Sequence, residues 1–174
     1  MKPLIIIGSA PCTVDDLVGA RCLCPSGCNV PLHAAADYML VGLDSVDKYL
    51  GRVEYLSTYH PEDIPDCLKR RSLAGGNVDF RVISHVEKAG VGIVHPHQPP
   101  SGSSALLGVL AAVKIGYRRI ILAGCPLEDE KYLEFRPGWQ AHLDKYVGRV
   151  RSLSGWTKEF LGYPTEEWLD VFGN

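Results

Sequence analysis

No stretch of this chain approaches the roughly 20 consecutive apolar residues that a membrane-spanning helix requires, so no helical membrane span is expected. A basic surplus is missing as well. The 18 Lys and Arg against 20 Asp and Glu leave a formal charge of -2, whereas a general nucleic-acid or membrane-surface binder carries a clear positive excess. The dinucleotide fingerprint G-x-G-x-x-G does not occur, and no Lys-Ser/Thr follows a glycine loop as in a P-loop. Nicotinamide redox chemistry and Walker-type hydrolysis therefore lose their usual signatures. The paired C-x2-C spacing of common structural zinc sites is absent, as are internal repeats and low-complexity segments.

What remains is an ordinary globular composition, 46% hydrophobic and 22% charged over 174 residues. One domain spanning residues 1–174 is the simplest organisation, and a chain of this size buries roughly 70% of its unfolded surface. The N-terminal M-K-P-L-I-I-I-G-S has an apolar core of only four residues before a glycine. It reads as a first strand and not as a leader, which points to a reducing cytoplasm. Of the six cysteines, Cys22, Cys24 and Cys28 crowd into "CLCPSGC". They are either reduced loop thiols or, with Cys12 or His33 as a fourth ligand, a zinc site.

Short apolar runs bounded by glycine or proline predict strands at 3–9, 37–44, 53–60, 78–85, 90–95 and 118–125. Between them lie helical stretches: "PCTVDDLVGA" with Thr13 as N-cap and Asp15 and Asp16 in its first turn, "SVDKYL", and "PEDIPDCLKRRSLAGG". A helix from Ser103 to Ile115 is apolar nearly all round, so it must be covered on both sides, and Gly116 stands where a left-handed cap belongs. "GWQAHLDKYVGRVRSL" and "TEEWLDVF" read as closing helices. The alternation predicts a Rossmann-like three-layer α/β sandwich, a mostly parallel sheet of about six strands with helices on both faces.

In such sheets ligands sit beyond the carboxyl ends of the strands, so the residues after each strand are the candidates. Gly8, Ser9, Ala10 and Pro11 form either a tight turn or a phosphate-approaching one. Asp44 suits a ribose hydroxyl or a helix cap. His60, fixed before a proline, is a ligand contact, an acid or base, or a solvent-facing loop residue. His95 and His97 form an H-x-H pair that suits a metal, although no carboxylate or cysteine nearby completes it. Ser101, Gly102, Ser103 and Ser104 combine N-cap chemistry with free helix N–H groups. Glu128 and Asp129 follow the last strand and suit a ribose, a sugar hydroxyl or a divalent cation, or simply begin the next helix.

"IIIGSAP" followed by "SGSSALLGVLAAVKIGYRRIILAGCPL" resembles the bacterial CMP-sialic-acid-dependent sialyltransferases of glycosyltransferase family 42, and also the 6-hydroxymethylpterin diphosphokinase-like proteins. The likeness covers about half the chain. It implies a nucleotide-dependent transferase, of glycosyl or diphosphate groups, with a CMP-like nucleotide as ligand. Gly8 to Pro11 and Ser101 to Ser104 would hold phosphate and ribose. "STYHPED" would fall where those enzymes place a ligand-contacting Asn, with Tyr59 or His60 as substitute. His142 is the single histidine downstream of the "AGC" strand, where the family places its base. Cys12 replaces the family's Ser, Cys125-Pro126 replaces its Asp, and the chain is much shorter. With these departures, the expectation that the resemblance leaves is nucleotide binding.

The sequence is also similar to small proteins of tailed phages. That likeness implies the alternative of a non-catalytic assembly or host-interaction protein, in which the aromatics of the last 40 residues would form a homo-oligomer or partner interface.

Overall fold

The computed structural model describes residues 2–21, 23, 32–96 and 103–170. Its centre is a seven-stranded sheet, every pairing parallel, in the order β5-β4-β3-β2-β1-β6-β7. The strands are β1 (Leu4–Ile7), β2 (Asp37–Val41), β3 (Tyr55–Ser57), β4 (Arg81–Ser84), β5 (Ile93–Val94), β6 (Ile120–Ala123) and β7 (Val150–Ser152). The helices are α1 (Thr13–Arg21), α2 (Leu32–Ala35), α3 (Ile64–Leu73), α4 (Ser104–Ile115), α5 (Glu130–Leu133), α6 (Arg136–Ala141), α7 (Leu143–Tyr146), α8 (Gly155–Leu161) and α9 (Glu166–Asp170).

The central strands read as unbroken apolar runs because both faces are covered: every residue of β1 and β6 is buried. Alternate side chains feed two cores. Leu4, Ile6, Met39, Ile83 and Leu122 face α4, while Ile5, Ile7, Leu40, Leu56 and Ile121 face α1, α2 and α3. Helix α4 carries the chain from the β5 edge back across the sheet to β6, with α7 packed on its other side. That double covering accounts for its apolar surface. A Cβ at Gly108 would lie 2.8 Å from Met39 Sδ, so the glycine lets the helix settle onto the strands. Ser103 caps α4 by accepting from Leu106 N–H at 3.4 Å, and Gly116 closes it in the left-handed conformation.

Three local expectations are corrected. The stretch 138–153, read as one helix, contains the short α6 and α7 and then the edge strand β7. Gly148 turns the chain at φ 76°, and Val150–Ser152 pairs with the free side of β6. "SVDKYL" forms only a 3-10 turn, Leu43–Ser45, because its following carbonyls are drawn to a buried arginine. Arg71 donates to Val46 O, Tyr49 O, Gly51 O, Asn77 O and Asn77 Oδ1 at 2.7–3.1 Å. All five guanidinium N–H groups are thus satisfied inside the fold. Finally, the Thr13 hydroxyl does not cap α1. It donates to Ala10 O at 2.6 Å and to Gly8 O at 3.3 Å, tightening the preceding turn.

At the far edge, the Trp168 ring lies against the Arg119 and Arg151 guanidinium groups (4.7 and 5.5 Å) and donates Nε1–H to Gly148 O, which docks α9. Among the described residues, no helix is long and apolar enough to cross a membrane.

Candidate functional site

After β1 the chain turns to β2 on one side, and after β6 it turns to β7 on the other. Strand order therefore reverses between β1 and β6, the place where an open parallel sheet parts its loops and leaves a crevice. Two glycines meet there. A Cβ at Gly8 would lie 2.1 Å from Gly124 O, and one at Gly124 would lie 2.0 Å from Thr13 Oγ1. Gly124 also stands at φ 68°, a conformation that costs other residues about 1–2 kcal/mol. The glycine in "IIIGS" is thus required for backbone-to-backbone approach.

Behind this contact the buried Asp16 gathers two half-buried polar side chains. Asp16 Oδ2 accepts from Gly124 N–H at 2.7 Å and from Ser154 Oγ at 2.6 Å, and Ser154 Oγ is 3.3 Å from Cys12 Sγ. One carboxylate in the first turn of α1 thereby joins the ends of β1, β6 and β7.

Over the glycines opens a cleft of ≈ 360 Å³. Gly8, Ser9 and Ala10 form its floor together with Gly124 and Cys125, and Ser103, Ser104 and Ala105 bring in the N-terminus of α4. Gly42, Leu43 and Asp44 make a second wall, with His60 and Asp63 at the rim; Leu127, Tyr132 and Phe135 close the opposite side. The Tyr132 and Phe135 rings stack at 6.0 Å between centroids. Among the described residues, Leu127 is the non-glycine residue with positive φ, 52°. Its carbonyl accepts from Arg136 Nε and Nη2 at 3.0 and 2.8 Å, a two-pronged clamp that holds the strained backbone in place.

Both serines at the head of α4 have structural partners. Ser103 Oγ accepts from Leu106 N–H and Ser104 Oγ accepts from Tyr59 N–H at 3.0 Å, while Ser104 O receives the Ser57 hydroxyl at 2.8 Å. Each serine hydroxyl is engaged as an acceptor, so its own proton remains to be donated. The two O–H groups and the positive end of α4 suit an anion better than a neutral group.

His60 is more than half exposed and its Nδ1 lies 3.1 Å from Glu62 Oε1. A carboxylate there favours the proton on Nδ1 and leaves Nε2 as the acceptor, the tautomer of a general base. The thiols are unsuited to attack. Burial pushes the Cys125 thiol up to about 12, and burial with the neighbouring Asp16 charge raises that of Cys12, so both stay protonated at neutral pH.

The structure gathers Gly8, Ser9, Ala10, Asp44, His60, Ser103 and Ser104 around one cavity. Pro11 is exposed just beyond the floor and outside the lining. Asp129 is exposed before α5, and His142 separates α6 from α7; neither lines the cleft. Ser101, Gly102, His97, Cys22, Cys24 and Cys28 lie outside the described residues, so the zinc and H-x-H readings fall there too. Among the described residues, no group of three or more His, Cys, Asp or Glu side chains is placed to hold a metal. Unforeseen were Leu127, Tyr132 and Phe135 and the Asp16–Ser154 anchor. The aromatic pair had a faint trace in "YLEF", where two rings three residues apart share a helical face; the anchor joins residues 138 positions apart and left none.

Comparison with protein-family models, with curated proteins and with solved structures gives no match.

Proposed function

We propose that this cleft binds a nucleotide or nucleotide sugar, and that the chain is a transferase-like protein acting on it. The observation that carries this reading is the convergence, at the switch point between β1 and β6, of a glycine floor, two serine hydroxyls at a helix N-terminus and a stacked aromatic pair. The phosphate would rest on the α4 N-terminus beside Ser103 and Ser104, with the Gly8–Ala10 turn close beneath it. The ring of the base or sugar would lie against Tyr132 and Phe135. Asp44 would meet the ribose, and Asp63 adds a rim carboxylate suited to a divalent cation accompanying the phosphate. His60, with Nε2 as acceptor, is the candidate general base for an attacking hydroxyl.

The alternative of an assembly protein drew on the C-terminal aromatics. Trp139 and Tyr146 are fully buried and Trp168 is 9% exposed. These three rings serve the core, whereas Trp156 and Phe160 are half-buried and Tyr163 is 40% exposed.

The test is a titration of CMP, CDP and purine nucleotides against the thermal midpoint. A ligand bound only by the native state at a hundred times its Kd stabilises by about 2.7 kcal/mol. Ser103→Ala with Ser104→Ala should remove most of the response to CMP. No shift with any nucleotide at millimolar concentration overturns the proposal.

A further inference from the structure

The side chains around the cleft supply negative charge and little to balance it. Among the described residues the lining includes Asp44 and Asp63 and no lysine or arginine, and the segments outside the described residues contain neither type. Two cations come close without joining it. Arg136 gives Nε and Nη2 to Leu127 O, and Lys131 Nζ stands 4.6 Å from the centre of the Tyr132 ring; neither lines the cavity. His60, the lining side chain able to gain a positive charge, faces Glu62. Asp44 is partly offset by Arg70 Nη1 at 3.7 Å. Asp63 differs: it stands at the head of α3 without a side-chain cap bond and makes no ion pair among the described residues.

Hydrogen-bond donors are as unevenly distributed. Loops that cradle a diphosphate do so with several successive backbone N–H groups and a lysine. Here Gly8 N–H donates to Ala123 O at 2.8 Å, Ala10 N–H to Gly124 O at 3.3 Å and Gly124 N–H to Asp16 Oδ2 at 2.7 Å. The floor is closed against its own strands, so it allows a ligand to approach closely without offering it these donors. The remaining donors gather at the head of α4: the Ser103 and Ser104 hydroxyls and a helix terminus equivalent to about half an elementary charge. One tetrahedral group engages them all. A second would meet committed N–H groups and a wall carrying the unpaired Asp63 carboxylate.

We propose that the cleft selects a nucleotide with a single phosphate over its di- and triphosphates, and that Asp63 sets this limit by repelling any further phosphate. The inference rests on the nucleotide reading and narrows its ligand class. A divalent cation carried by a longer nucleotide would offset Asp63, so the limit is sharpest without one.

The test titrates cytidine, CMP, CDP and CTP into the full chain in the presence of a chelator, at about pH 8, above the ordinary histidine range. Calorimetry gives each Kd, and the adenosine series takes their place if purine nucleotides gave the thermal response. The expected order has an optimum: CMP binds more tightly than cytidine, and CDP and CTP bind successively more weakly than CMP. Asp63→Asn keeps the shape and removes the charge, so it should strengthen CDP about tenfold and CMP by less. Magnesium should narrow the gap between CDP and CMP in the parent protein and change it little in the variant. Affinity that rises with each added phosphate overturns the proposal, as does an Asp63→Asn variant in which CMP and CDP change alike; a nucleotide still binds in both cases, and the nucleotide reading stands. Failure of every member of both series to bind removes that reading and this proposal together.

Discussion

Arg71 and Asp16 are both charged, both buried, and both carried by helices on the same face of the sheet. Their surroundings differ in what is left over. Arg71 directs all five N–H groups to acceptors within the β2–β4 half of the molecule, four of them backbone carbonyls. Asp16 uses one oxygen to tie together strand ends at the switch point, directly behind the cleft. A saturated polar centre marks framework. A polar centre that braces Gly124 and Ser154 behind the cleft marks the place where the fold holds open space for something else.

Substitutions can separate the two roles. Arg71→Met should have the largest effect, at least about 4 kcal/mol, because several buried acceptors lose their donor together. Urea denaturation would show the loss, while ligand response in the folded fraction should persist. Gly124→Ala comes next, at about 2–4 kcal/mol from strain at positive φ and the clash with Thr13. Unlike the arginine variant, it should also reduce cleft binding in protein that remains folded. Asp16→Asn keeps the shape and loses the charge, so about 1–2 kcal/mol is expected; equal nucleotide response with lowered stability would move Asp16 to the framework class. Ser103→Ala should cost about 1 kcal/mol through the cap and a larger proportion of nucleotide affinity than of stability.

The smallest effect concerns pH. His95 has a lowered folded pKa, so the fold prefers its neutral form and the unfolded chain binds the proton more readily. Its contribution to stability is present above the unfolded histidine pKa of about 6.5 and is lost as pH falls through the lower folded value. Chemical denaturation across that window should show the decline in the parent protein and a flatter profile in His95→Gln.

The sheet was legible because its signals are local. "LIII" and "IILA" sit between glycines and charges, and the Ser103 cap and Gly116 stop enclose α4. The cleft's small residues were legible through the rule for parallel sheets, which needs only the ends of strands. What sequence could not display depends on distant pairing. β7 lies in residues with helical character and becomes a strand because β6 offers a free edge. Arg71 is one letter from Arg70, yet Arg70 sits at the surface paired with Asp47 at 2.6 Å while Arg71 is buried. One helical step of rotation decides between them, and the apolar spacing of α3 is too sparse to fix it in advance. Asp129 is a carboxylate after a strand, but the turn at Leu127 carries the chain so that Tyr132 and Phe135 line the cavity in its place.

The return of α4 across the sheet also has a consequence for the order of assembly. Strands β1 to β5 pair with sequence neighbours outward from β1, so five of the seven strands can come together by short steps while the chain is still emerging. β6 must then find β1, with Leu4 meeting Ile120. Until it does, "LIII" is an uncovered apolar edge, the kind of surface on which chains adhere to one another, and Gly8 has nothing opposite it. The cleft is therefore a product of the last long-range docking event, and a chain ending before residue 120 would possess five strands and lack the Gly124–Cys125 side of the cleft floor.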